Sequence, residues 1–295
     1  MQSELFNGTG VALITPFDNS GNIDYPSLQN LLDYIIDGGI NFIAMQGTTG
    51  EPATLTPQER QQLRKFVIEY VNNRVPIMYG IGGNNTAAVV DEIKNTDFKG
   101  IDAILSISPY YTKPNQRGIY EHFKAIATAS SVPVVLYNVP GRTARNVEAQ
   151  TIVQLANDCP NIIAVKEASG NMSQIMSIIN TKPERLAIIS GDDSLTLPMY
   201  ALGATGVISV VANVAPKEFS TMVNLCAKGD YVAARKIHFK LLDLMNELFE
   251  DGSPAGAKAA LAHLGIIKEN LRLPLVPVCD RVREKIITAL ANAKK

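Results

Sequence analysis

Eight short apolar segments rich in β-branched residues recur along roughly the first 220 residues, alternating with longer amphipathic stretches. They read GVALITPF, NFIAMQG, VPIMYGIGG, DAILSISPYY, VPVVLYNVP, NIIAVKEAS, LAIISGDD and GVISVVAN. Each is continuously apolar rather than alternating, the pattern of a strand buried on both faces of a parallel sheet. Between them lie helical patterns such as SLQNLLDYII and PQERQQLRKFVIEYV. The second has a readable start: Thr56 as the cap, Pro57 at the first helical position and Glu59 to complete a capping box. Eight strand–helix units predict an α/β fold, a closed (β/α)8 (TIM) barrel rather than an open doubly wound sheet. After PKEFSTMVNLCAKGD the strands stop, and from Tyr231 onward the pattern is helical throughout. The expected organisation is a barrel over residues 1–226 with a C-terminal helical region over 227–295 packed on it.

Composition narrows the function. With 46% hydrophobic residues and a formal net charge of −1, the chain lacks the basic footprint of a nucleic-acid or anionic-membrane binder. No apolar run approaches the roughly 18–20 residues that span a bilayer. The start MQSELFNGTG has no basic opening and no apolar stretch, so no signal peptide is expected. Cys159, Cys226 and Cys279 form neither a disulfide framework nor a zinc spacing, which fits a reducing, cytoplasmic setting. His122, His238 and His263 lie in different segments and form no metal-binding pair.

In such barrels chemistry sits where strands end and loops begin. The residues there include Thr15, the GTTGE turn at 47–51, Gly80 to Asn84, Ser108, Tyr110 and Tyr111. Tyr137, Asn138, Lys166, Glu167, Gly191, Asp192, Asp193, Ser209 and Asn213 complete the set. Hydroxyls dominate and histidine is missing, which argues against a Ser-His-Asp arrangement. The acids are scattered rather than arranged as a cage for a hard metal ion. GIGGNN matches neither a dinucleotide fingerprint nor a P-loop.

Lys166 is the anomaly, a lysine at the end of the apolar run IIAV. Alternation along a strand puts Ile162, Ala164 and Lys166 on one face and Glu167 on the other. A lysine turned into a barrel loses its proton more easily than one in water, and the neutral amine attacks a carbonyl to form a Schiff base. The alternative is a lysine paired with a distant carboxylate at the barrel rim. Tyr137 is either a packing residue or a proton relay, and Thr48 and Thr49 either shape a turn or line a site. Arg142, after Pro140 and Gly141, is either an ordinary surface arginine or a bidentate clamp for a carboxylate.

Seven stretches, GTGVALITPF, GTTGEPATL, SPYYTKPNQRGIYEHFKAIA, LYNVPGRT, VKEASGN, SGDD and GVISVVANV, run in order from about Gly8. Together they resemble the pyruvate-dependent, class I aldolase-like barrels of the dihydrodipicolinate synthase and N-acetylneuraminate lyase family, and its synthase branch in particular. The resemblance implies that Lys166 is the Schiff-base lysine and Tyr137 the tyrosine relaying protons to and from the bound substrate. It implies that Thr48 links Tyr137 to a second tyrosine, Tyr111, which reaches across a tight-dimer contact into the neighbouring site. Thr49 matches the residue that holds the pyruvate carboxylate, Ile208 a backbone contact near the pyruvate, and Gly191 the substrate-lining loop. Arg142 matches the arginine that receives the carboxylate of the second substrate, aspartate 4-semialdehyde.

The implied product is 4-hydroxy-tetrahydrodipicolinate, on the lysine and diaminopimelate pathway. The resemblance implies no metal or organic cofactor, and a homotetramer built as a dimer of dimers. A sugar-acid aldolase or lyase of the same family is the alternative, from which Arg142 argues away. A catalytically silent, ligand-binding barrel is the other. The chain departs from the pattern in two places. GSPAGAK puts Ser253 where many synthases carry an asparagine. Arg60 and Ala88 stand where lysine-inhibited members often have a histidine and a glutamate, so weak feedback by lysine is expected.

Overall fold

The computed structural model describes residues 2–294. Its strands are β1 (Gly8–Ala12), β2 (Phe42–Met45), β3 (Ile77–Gly80), β4 (Ala103–Ile107), β5 (Val134–Asn138), β6 (Ile162–Glu167), β7 (Ala187–Ser190) and β8 (Gly206–Ser209). Each pairs in parallel with the next, and β8 returns to β1 to close the barrel. All eight expected segments therefore contribute a strand. Continuous apolarity has the expected cause, since β2, β3, β5 and β8 are buried at every position. In β4, for example, Ala103 and Leu105 fill the barrel while Ile104 packs outward under the helices.

The bottom of the barrel is sealed by Phe6, from the N-terminal turn Gln2–Phe6, set edge-on to Phe42 with ring centroids 5.3 Å apart. Gly10 makes this possible, because a Cβ there would lie 2.2 Å from the Phe42 ring. On the outside, helix Pro57–Val71 begins with the predicted capping box. Thr56 Oγ1 accepts from the Glu59 amide and Glu59 Oε2 accepts from the Thr56 amide, an arrangement contributing about 1 kcal/mol. Leu63, Val67 and Val71, four residues apart, form the stripe this helix buries.

Two local expectations need correction. Strict alternation along β6 fails at its start: Val134 pairs with Ile162, but Val135 pairs with Ala164. The extra residue, Ile163, is a bulge. Ile162 consequently packs outward with Val165, while Ile163 and Ala164 both face the interior. Ile162 does not share a face with Lys166, and the facing of Lys166 is set only after the bulge.

The tail is also not wholly helical. Helices Tyr231–Glu250, Ala255–His263 and Asp280–Lys294 are interrupted by an irregular stretch over 264–279. Pro274 and Pro277 have no amide hydrogen to continue a helix. This stretch is instead tied to the barrel by side chains. Arg272 donates to Gly21 O and Thr54 O, both at 2.8 Å, and forms a two-pronged ion pair with Glu59 at 3.0 and 2.5 Å. The guanidinium holds the Glu59 carboxyl at about 2, below its usual range. A depressed carboxyl pKa contributes stability that is complete above pH 4.5 and lost as the pH falls through 2. Glu59→Gln is therefore expected to flatten the acid limb of a urea-midpoint-against-pH profile between those values. An unchanged limb would mean that other carboxylates dominate it.

Candidate active site

The C-terminal ends of the strands open onto a cavity of about 490 Å³, a volume suited to a small-molecule site. Thr48, Tyr137, Arg142 and Ser253, all singled out in the sequence, line it together with Gln46, Glu51 and Arg60. Thr48 stands on the short helical turn Thr48–Gly50 directly after β2, and Thr49 beside it is buried. Tyr137 projects inward from β5 as part of the interior cluster that also holds Ile208 of β8. Arg142 lies on the turn Pro140–Thr143, exposed to solvent at the cavity rim.

Lys166 is 6% exposed and directly opposite Tyr137 in the register of β5 and β6. Its Nζ lies 4.3 Å from the centre of the Tyr137 ring. Among the described residues no carboxylate lies within ion-pair distance of that amine, which removes the rim ion pair as an explanation for the residue. Glu167, its chain neighbour, faces outward and is engaged elsewhere, accepting from Asn138, Ser169 and Gln174. An amine held over an aromatic face without a counter-charge is placed to act as a nucleophile.

Gly191, one residue past β7, shapes the same spot from the side. A Cβ added there would come within 3.1 Å of Lys166 Cε and 2.6 Å of Ala168 Cβ. Gly191→Ala is expected to push the lysine off its position and reduce kcat by about tenfold to a hundredfold, since displacements near 1 Å are that costly. Steady-state kinetics on the folded variant check this, and wild-type turnover would show that the lysine tolerates the shift.

Tyr111 is placed differently. It is 87% exposed on the loop after β4, with φ of +70°, and lies outside the cavity while its neighbour Tyr110 lines it. Within a single chain the structure does not bring Tyr111 to Thr48 or Tyr137.

Sequence reasoning missed one strong feature, a buried ion pair behind the GTTGE turn. Lys258 and Glu51 both have side chains with 0% exposure, and Nζ lies 2.5 Å from Glu51 Oε1. Nζ also donates to Asn270 O at 2.8 Å and stands 4.2 Å from the centre of the Phe17 ring. Burial pulls the Lys258 ammonium down to about 8, against the opposing pull of Glu51. The signal was a lone lysine in the small-residue run AGAKAALAH, but its partner lies some 200 positions away in the chain. Another buried acid, Asp193, accepts from the amides of Val210 and Val211 at 3.1 and 2.9 Å, and burial pushes its carboxyl up to about 6.

The sequence and the fold match known proteins. A model of the dihydrodipicolinate synthetase family covers residues 5–293. The chain belongs to the dihydrodipicolinate synthetase family. Among members of the family, a relative from Parabacteroides distasonis named 4-hydroxy-tetrahydrodipicolinate synthase is 51% identical, over 95% of this chain and 94% of that one. The chloride-inhibited dihydrodipicolinate synthase from Acinetobacter baumannii, solved in complex with pyruvate, superposes with a TM-score of 0.95 at 39% identity. That match covers 98% of this chain and 99% of that one. A monomeric dihydrodipicolinate synthase variant superposes at 0.96 with 35% identity, covering 99% of both chains.

Proposed function

We propose that this chain condenses pyruvate with aspartate 4-semialdehyde to give 4-hydroxy-tetrahydrodipicolinate, in lysine and diaminopimelate biosynthesis. Membership of the synthetase family supports the activity, and the observation that carries the mechanism is the unpaired Lys166 amine beneath Tyr137. Lys166 attacks the pyruvate ketone carbon, and loss of water leaves an imine. Removal of a methyl proton turns the imine into an enamine, whose carbon attacks the aldehyde of the second substrate. The amine of that substrate then displaces Lys166 and closes the ring.

Each step moves a proton, and the Tyr137 hydroxyl is the group assigned to move it, with Thr48 linking it outward. Thr49 holds the pyruvate carboxylate, Ile208 and Gly191 bound the pyruvate, and Arg142 receives the semialdehyde carboxylate through its planar fork. The exposed Tyr111 is assigned to the neighbouring subunit's site, in a homotetramer assembled as a dimer of dimers; an active monomer in sedimentation would remove that role. The region from residue 227 onward belongs to the same working unit, since Lys258 and Arg272 reach the GTTGE turn and its flank. Among the described residues no helix is long and apolar enough to cross a membrane. The three unpaired cysteines fit the cytoplasmic setting proposed here.

The deciding experiment couples the reaction to added dihydrodipicolinate reductase and follows NADPH. Turnover with pyruvate and aspartate 4-semialdehyde is the expected result. Pyruvate trapped on Lys166 by borohydride without turnover would redirect the search to sugar-acid substrates. Lysine is expected to inhibit weakly, in the millimolar range or above. Arg60 lines the cavity with its guanidinium paired at 2.7 Å with Glu92, while Ala88, one turn earlier than Glu92 on helix Thr86–Lys94, offers no carboxylate to an ammonium. An inhibition constant in the low micromolar range would contradict this.

A further inference from the structure

The two strands that carry the reacting side chains are also joined on their outer faces. In the β5–β6 register Tyr137 stands opposite Lys166, and Asn138 stands opposite Glu167. The first pair faces the barrel interior and the second faces the helices, with Asn138 and Glu167 each 1% exposed. Asn138 Nδ2 lies 3.2 and 3.0 Å from the two Glu167 oxygens. The Ser169 amide donates to Oε1 at 2.7 Å and Gln174 Nε2 to Oε2 at 3.1 Å. Every partner is a donor and each oxygen takes two of these contacts, a demand that an acceptor-only carboxylate meets and an amide does not.

The same amides hold the loop that bears Arg142. Asn138 Oδ1 accepts from the Val147 amide at 3.0 Å, and Asn138 Nδ2 reaches Asn146 Oδ1 at 2.9 Å. Asn146 and Gln174 bond reciprocally, at 2.6 Å from Asn146 Nδ2 and 3.2 Å from Gln174 Nε2. One buried cluster outside the barrel thus touches the strand of Tyr137, the strand of Lys166 and the return end of the Arg142 loop. The bulge at Ile163 makes such a lock necessary, because a one-residue slip of β6 against β5 would turn Lys166 outward.

We propose that Glu167 and Asn138 are positioning residues. Clamped together behind the sheet, they set Lys166 against Tyr137, and through Asn146 they set the loop that carries Arg142. The inference rests on the function proposed above. Two variants with separate kinetic readouts test it. Glu167→Gln places an amide donor among donors. It is expected to slow borohydride-trapped formation of the pyruvate adduct on Lys166 by about tenfold or more, with kcat falling in step. Asn146→Ala leaves the Asn138, Ser169 and Gln174 contacts to Glu167 in place and removes the loop's side-chain ties to Asn138 and Gln174, the Val147 amide staying on Asn138 Oδ1. It is expected to raise KM for aspartate 4-semialdehyde severalfold while the trapping rate stays at the wild-type value. A purely structural cluster would lower the melting temperature of both variants and leave trapping rate and KM per folded site unchanged, which would overturn the proposal. If Glu167→Gln does not fold, Asn146→Ala decides alone, and an unchanged KM overturns it. Failure of the wild-type protein to trap pyruvate is a separate result, and it would remove the functional reading itself.

Discussion

Lys166→Met is expected to abolish turnover, by on the order of 10⁴-fold or more in kcat, in a protein that remains folded. The loss follows from covalent chemistry: without the amine no imine forms, and the remaining groups have nothing to relay protons to or from. Retention of fold follows from the surroundings. Lys166 is 6% exposed, packs against the Tyr137 ring and has no carboxylate in reach among the described residues. Replacing an unpaired buried amine with an apolar chain of similar length removes a desolvation cost and no ion pair. The melting temperature should therefore stand at or above that of the wild type, while borohydride and pyruvate give no adduct by mass spectrometry. A Lys166→Met protein that still turned over would end the Schiff-base mechanism. One that failed to fold would show that the lysine serves the barrel itself.

Lys258→Met should behave in the opposite way, with its main effect on stability. It leaves Glu51 with a side chain at 0% exposure and without its cation, a situation that costs about 3–5 kcal/mol. Against a total of about 5–15 kcal/mol for a typical domain, that is a large fraction of the folding free energy. Glu51→Gln made together with Lys258→Met should recover much of the loss, because the stranded charge is then gone. Urea unfolding of wild type, both single variants and the double variant measures the coupling. Additive losses would mean that the two side chains do not act as a pair. Glu51 has φ of +53° and immediately follows the Thr48–Gly50 turn, so activity should fall along with stability in the Lys258 single variant.

The contrast between these lysines shows which parts of the molecule were legible in the chain. Lys166 stood out because it ends an apolar run, whereas the way it faces was fixed by pairing with β5 after the bulge. Lys258 was equally out of place in its run of small residues, but its meaning depends on a carboxylate about 200 residues away. The strand count, the capping box at Thr56 and the resemblance of seven stretches to one family were local signals. They were readable because burial on both faces, a helix start and a motif each occupy a few adjacent residues.

The barrel and the family were thus legible in the chain, and Lys166 could be singled out there as the candidate nucleophile. Other features depended on contacts between distant segments. The bulge at Ile163 altered the facing of Ile162 because register is set by pairing with β5, which no single strand encodes. The path of the stretch over 264–279, where Pro274 and Pro277 already disfavour a helix, is set by the ties of Arg272 and Asn270 to the barrel loops. Glu51 found Lys258, and Glu167 found Asn138 and Gln174, only when closure of the barrel brought distant segments together. Tyr111, turned out to solvent in one chain, marks the limit of both readings, since its proposed partner surface belongs to another copy. Pairwise contacts between remote residues are the product of folding, and a linear pattern carries only those whose partners are near.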